Sequence, residues 1–274
     1  MSSSLSRDAS RAGNDFVHTP VFAVLSRAGF VARGLVYGII GLLALRLAVG
    51  AGGTITNQEG ALHAVARQDF GQFLLTLVAI GLGGYSVWRL MRAAIGHGPE
   101  GRDSGVERVG ALGSGIFYGT ICIAAVKILA GADAGSEGNA KKTTAGVYGW
   151  PAGAWIIGAA GVVMIGVALY QGHRGVTRSF LADSKTEEMG PEMKRWITRI
   201  GVVGHLARMV VFALVGIFLI KAAIDAKPDA AIGLDGALAK VLHRSYGSLL
   251  LGVVSAGLIA FALFSLSEAR YRRI

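Results

Sequence analysis

The chain is poor in the groups that carry most protein chemistry. Its single cysteine, Cys122, sits in an apolar stretch, so no intrachain disulfide can form and a packing role is expected. Charged residues make up only 16% of the 274 residues, against about 25% in soluble domains. Asp, Glu, Lys, Arg and His are absent altogether from Gly71 to Trp88, Val109 to Val126, Thr143 to Gly172 and Ser245 to Ser267. No acid falls in Ala28 to Ala48 or Ile200 to Ala223 either. A carboxylate proton relay or a paired-carboxylate hydrolase is therefore not expected within these segments. His63 and His243 do not align with one another and make no pair at metal spacing, and only His205 lies in an apolar segment, so neither metal nor haem is expected. Gly81-Leu-Gly83-Gly84 follows no strand and is not a dinucleotide fingerprint. No catalytic residues and no cofactor are predicted.

What the chain has is apolar length. Hydrophobic residues reach 53% and mean hydropathy +0.53, and uncharged blocks of about 18 residues or more read as membrane spans. Two further segments, interrupted by Arg33 with Arg46 and by Arg208 with Lys221, count as spans because of an internal repeat. Gly29-Phe-Val-Ala-Arg33-Gly-Leu-Val-Tyr37-Gly38, Gly110-Ala-Leu-Gly-Ser114-Gly-Ile-Phe-Tyr118-Gly119 and Gly204-His205-Leu-Ala-Arg208-Met-Val-Val-Phe212-Ala213 align without a gap. The basic residues Arg46, Lys127 and Lys221 follow in the same register. The prediction is an all-α polytopic membrane protein of six transmembrane helices in three αα-hairpin repeats. The repeats share one orientation, so a pseudo-threefold ring about the membrane normal is expected.

The predicted boundaries are a disordered tail at 1–20, then repeat 1 at 21–98 (spans near 28–50 and 70–93), repeat 2 at 99–185 (108–131 and 151–173) and repeat 3 at 186–274 (198–224 and 245–268). In the outer loops of repeats 1 and 3, Gly60-Ala-Leu62 and Gly236-Ala-Leu238 open matching stretches with helical apolar spacing, which predicts short amphipathic helices. Repeat 2 lacks that stretch, and Pro151 there is expected in the first turn of the returning helix. Gly34 and Gly38, and Gly115 and Gly119, predict close helix packing rather than a wide pore. Met209 and Ala213 at the matching positions predict looser packing in repeat 3.

The net charge of +10 is distributed unevenly. Arg89, Arg92, Arg102 and Arg108, then Arg174, Arg178, Lys185, Lys194, Arg195 and Arg199, then Arg270, Arg272 and Arg273 lie on the side of the termini. The other side holds only Arg67, Lys141, Lys142, Lys227, Lys240 and Arg244. The positive-inside rule puts both termini in the cytoplasm, and the expected location is the cytoplasmic membrane. Anionic headgroups, at about 1 kcal/mol per basic residue, account for the surplus without nucleic acid. The bilayer and other membrane proteins are the expected partners.

The run Ala32-Arg33-Gly34-Leu-Val-Tyr37-Gly38-Ile-Ile-Gly41-Leu-Leu-Ala44, followed by a returning helix from Gly71 to Arg92, resembles the bacterial membrane family called domain of unknown function 1206. The resemblance runs from about Val21 to Arg273 and implies three two-helix repeats, with Ser114, Met209 and Phe212 as departures from the pattern. It implies no activity.

Five residues are candidates for facing a ligand: Arg33, Tyr37, Tyr118, His205 and Arg208. A guanidinium inside a span faces protein or water, or snorkels to the headgroups. Thirteen residues correspond to about 220° of helix, so if Arg33 faces inward Arg46 faces out. Tyr37 lies one turn from Arg33, where the pair can hold an anionic or carbonyl group, although a packed tyrosine is the commoner outcome. His205 is expected as an interfacial residue with a wet polar tip. The expected role is non-catalytic, scaffolding or binding lipid and partners; the alternative is a transporter or channel for a small anionic solute.

Overall fold

Segments this apolar bury their own backbone polar groups as helices. In the computed structural model the described residues are 20–95, 105–131, 145–225, 233–243 and 245–273, and the expected disordered tail lies outside them. In chain order the helices are α1 (Pro20–Ala48), α2 (Gln58–Ala66), α3 (Gly71–Ile95), α4 (Gly105–Leu129), α5 (Gly153–Thr177), α6 (Pro191–Ile224), α7 (Leu234–Leu242) and α8 (Gly247–Tyr271). All but α2 and α7 are long and apolar enough to cross a membrane, which gives six spans. At 34 residues α6 is about 51 Å long, so its first turns extend past a hydrocarbon layer of roughly 30 Å.

Each returning helix is entered in the same way. Phe70, Ala152 and Tyr246 adopt left-handed backbone (φ 59°, 64° and 61°) immediately before Gly71, Gly153 and Gly247. A side chain on any of these glycines would meet the carbonyls of Ala66, Val147 or Leu242, so the reversal requires glycine. Repeat 2 thus keeps this entry although a single helical turn at 145–148 stands in for the short helix. Pro151 falls in the turn at 151–152, ahead of the helix rather than in its first turn. The helices α2 and α7 bury Leu62 and Leu238 completely; α2 packs on α1, α3 and α4, and α7 on α6 and α8. Asn57 caps α2, its Oδ1 accepting from the Gly60 amide at 3.0 Å.

The spans stand side by side in the order α4, α3, α1, α8, α6, α5. Interfaces between repeats recur in one register. Gly34 faces Leu266, Gly115 faces Leu90, and Met209 faces Gly172. Repeat 3 has exchanged large for small across this contact, so the expected loosening does not occur, and α5 with α6 is the most extensive helix pair. One level further in, Gly41 meets Ser255, Cys122 donates to the Ala79 carbonyl at 3.3 Å, and Gly216 meets Gly161.

Interfaces within a hairpin use glycine from both helices. Gly29 abuts Tyr85 while Gly81 abuts Ala28, and Gly204 abuts Phe261 while Gly257 abuts Ala207. In repeat 2, Val163 occupies the place of Gly81 and Gly257, Gly110 has open space around it, and α4 and α5 do not pack together among the described residues. Five adjacencies of the expected ring are made, and the sixth is open.

The aligned positions 110 and 204 therefore separate space from packing. Gly204→Leu should lower the melting temperature in detergent, overpacking costing about 1–3 kcal/mol, whereas Gly110→Leu should melt with the unmodified chain. Equal shifts for both would contradict the open hairpin.

Candidate functional site

Where α1, α3 and α8 meet, at the end that bears the termini, a charge network is buried. Arg33 is 4% exposed, Glu268 4% and Arg272 3%. The Arg33 guanidinium is used on all sides: Nε donates to Ser265 Oγ at 2.8 Å, Nη1 to Tyr85 Oη at 2.7 Å, and Nη2 pairs with Glu268. Ser265 in turn donates to the Phe30 carbonyl at 2.9 Å. The other Glu268 oxygen pairs with Arg272, whose Nη2 reaches Asp183 Oδ2 at 3.0 Å. Arg174 joins the same Asp183 oxygen at 2.8 Å. Arg89 Nε donates to Tyr85 Oη at 3.0 Å.

Asp183 lies between α5 and α6, in a segment stitched to the carboxyl terminus. Lys185 N donates to the Tyr271 carbonyl at 2.7 Å and Arg273 N to the Asp183 carbonyl at 3.0 Å. Arg273 also pairs with Glu187 at 3.0 Å on the exposed rim. Burial works against the Arg272 charge, but Asp183 and Glu268 beside it override this and hold the guanidinium more firmly protonated than in water. Its own backbone amide, and after it Arg273, keep the Glu187 carboxyl below the usual carboxylate range.

Glu268 corrects the expectation that the spans lack acids. It lies just past the uncharged block ending at Ser267, but α8 continues to Tyr271 and carries it inside. Arg33 is accordingly enclosed rather than snorkelling, and Arg46, Lys127 and Lys221 are all exposed.

The remaining candidates lie further along the arc. His205 is 3% exposed, stacked on Phe180 at 4.9 Å with Nδ1 2.8 Å from the Gly201 carbonyl, so its tip is buried rather than wet. Arg208 is half-buried, with its Cζ 4.3 Å from the Phe261 ring, 4.8 Å from Phe212 and 5.3 Å from Tyr37. With the Gln171 amide turned so that its oxygen faces this cation, that oxygen accepts from Arg208 Nη1 at 2.8 Å. Tyr37 and Tyr118 are 2% and 4% exposed, and neither hydroxyl has a hydrogen-bond partner among the described residues. Ser114, which replaces the arginine in repeat 2, bonds its own helix at Ala111. Among the described residues no group of histidine, cysteine and acidic side chains is arranged to hold a metal ion.

Register explains the difference between the two arginines. Counted from the glycine that starts each returning helix, Ser265 and Gln171 are equivalent, and so are Glu268 and Arg174. Arg33 and Arg208 thus find a hydrogen-bond acceptor at the same place, but the position that gives Arg33 its carboxylate gives Arg208 a second arginine, which turns to Asp183 instead.

A family model described as Domain of Unknown Function (DUF1206) matches three times, at residues 28–96, 109–178 and 203–272. The chain is also similar to Uncharacterized protein YxxB of Bacillus subtilis (strain 168), at 33% identity over 252 residues covering 90% of each chain. No solved structure matches.

The buried network yields a stability prediction. Glu268→Gln leaves Arg33 and Arg272 facing each other without their acid and should destabilise the detergent-solubilised protein by about 3–5 kcal/mol. Arg33→Met with Glu268→Leu should recover much of that loss, while Glu187→Gln on the exposed rim should leave the melt unchanged. Unfolding followed through the Cys122 thiol reads all three.

Proposed function

From a chain that belongs to the domain of unknown function 1206 family, we propose a non-catalytic protein of the bacterial cytoplasmic membrane, with both termini in the cytoplasm, whose basic rim binds anionic lipid headgroups and docks membrane-protein partners there. The observation that carries this reading is the overhang of α6. Lys194, Arg195 and Arg199 are exposed on its first turns without a carboxylate partner among the described residues. Trp196 is 64% exposed between them. An exposed indole flanked by cations is the composition of a headgroup anchor. Arg178 and Arg270 add exposed charge on the same side.

The alternative, transport of a small anion, draws less support. Arg33 is neutralised by Glu268 and held by Ser265 and Tyr85, so it offers a passing solute no uncompensated charge.

Neutralising Lys194, Arg195 and Arg199 to glutamine should weaken the preference for phosphatidylglycerol around the protein in mixed nanodiscs by up to roughly a hundredfold, three charges at about 1 kcal/mol each. The enrichment should fall with added salt, because these charges are exposed. Enrichment unchanged by the triple substitution would overturn the headgroup reading. Orientation is tested separately. In a Cys122→Ser background, a cysteine placed after Ile274 should resist membrane-impermeant maleimide in intact cells; labelling from outside would invert the topology.

A further inference from the structure

Arg208 is the arginine that this fold leaves without an acid. Among the described residues no carboxylate reaches it, since its register partner is Arg174 rather than a glutamate. It is held by aromatic faces and by the oxygen of Gln171, which is itself 6% exposed. Beside it are two hydroxyls that the protein buries and does not satisfy. The ring of Tyr37 lies against the Arg208 guanidinium at 5.3 Å, and Tyr118 is within electrostatic reach of Tyr37, Arg33 and Arg208. An unpaired buried hydroxyl costs about 1–3 kcal/mol, and two of them in the neighbourhood of one uncompensated cation leave donors without an acceptor.

We propose that Arg208, Tyr37 and Tyr118 hold a monoanionic oxyanion, which stands to Arg208 as the Glu268 carboxylate stands to Arg33. One uncompensated guanidinium matches one negative charge, and a phosphodiester or carboxylate has two oxygens to accept from the guanidinium and the hydroxyls together. The residual exposure of Arg208 makes the guanidinium the point of entry, and the two buried hydroxyls must turn to meet the bound anion. Among the described residues α4, which carries Tyr118, and α5, which carries Gln171, form no packed interface, so the arc has a lateral gap as well. The same chemistry can be supplied by the headgroup of an anionic phospholipid or by a free monovalent oxyanion. This site is separate from the α6 rim and does not rest on it.

The test uses the full chain in nanodiscs of phosphatidylcholine with or without phosphatidylglycerol, in phosphate-free buffer, followed by detergent release and native mass spectrometry. A parallel thermal melt is titrated with acetate or inorganic phosphate. Retention of one phosphatidylglycerol per chain identifies the headgroup as the source, and stabilisation by the free anions without lipid retention identifies a solute; either upholds the site. Tyr37→Phe with Tyr118→Phe removes only two oxygens and should weaken the retained anion by about tenfold or more, and Arg208→Gln should abolish it. Neutralising the rim lysine and arginines should leave it in place. The proposal falls if neither lipid nor free anion binds. It falls equally if the phenylalanine pair retains the anion like the unmodified chain and simply melts higher, as expected for hydroxyls that are only orphans, or if the rim substitutions alone release it.

Discussion

The pairing of Arg33 with Glu268 is the contact on which the arrangement of the spans depends. It joins the first membrane helix to the last, and both groups are enclosed by protein. A buried charge is tolerated only with its counter-charge and a full set of hydrogen bonds, so separating these helices would expose each partner to a solvent far poorer than water. Ser265 and Tyr85 complete the guanidinium, and Arg272 completes the carboxylate. The register between α1 and α8 is thereby set by directional bonds, where apolar packing alone would allow sliding. Asp183 carries the same constraint into the segment between α5 and α6, so elements from every repeat are tied at one end of the molecule.

Away from that end, the backbones are held by close approach at glycine. Lipid tails are as apolar as the helix surfaces, so association rests on packing and on the few available hydrogen bonds rather than on expulsion of water. The three contacts between repeats satisfy this in one register with different residues: Gly34 takes a leucine, Gly115 takes a leucine, and Met209 takes Gly172. Within the hairpins the requirement is stricter, because glycine is needed on both sides. Repeat 2 has Gly110 but Val163, and its two helices part. One branched side chain at a crossing point is thus enough to account for an arc where a ring was expected.

Much of this was legible in the sequence. The uncharged blocks mark the six spans, the gapless Gly-Arg-Tyr motif marks the repeat, and the opposed directions of Arg33 and Arg46 follow from helical geometry. Three things were not legible, each because it belongs to a pair rather than to a residue. Glu268 lies beyond the last uncharged residue and reads as rim until Arg33 is placed across from it. Met209 reads as a loosened contact until Gly172 is seen opposite. His205 reads as wet until Phe180, which comes from a loop with no apolar pattern of its own, is stacked over it. The absence of an α4 and α5 interface was hidden for the same reason, since Val163 is unremarkable in an apolar helix until it is set against the glycines of the other repeats.

The repeat also shows how one register places equivalent arginines in different electrostatic surroundings. Where three copies of a hairpin share one register, a charge that is neutralised in one copy is left uncompensated in another by a single substitution across the interface, as Glu268 and Arg174 illustrate. Arg208 has an acceptor in Gln171 at the position of Ser265 and an aromatic face in Phe261, so the surroundings that suit a guanidinium are present without the acid. An arginine without an acid would be expected to snorkel, since burying an unpaired cation is costly. Instead it stays half-buried beside two unsatisfied phenols. The counter-charge that Glu268 gives Arg33 is missing at Arg208, and that absence separates a residue that holds the fold together from one whose charge remains to be met.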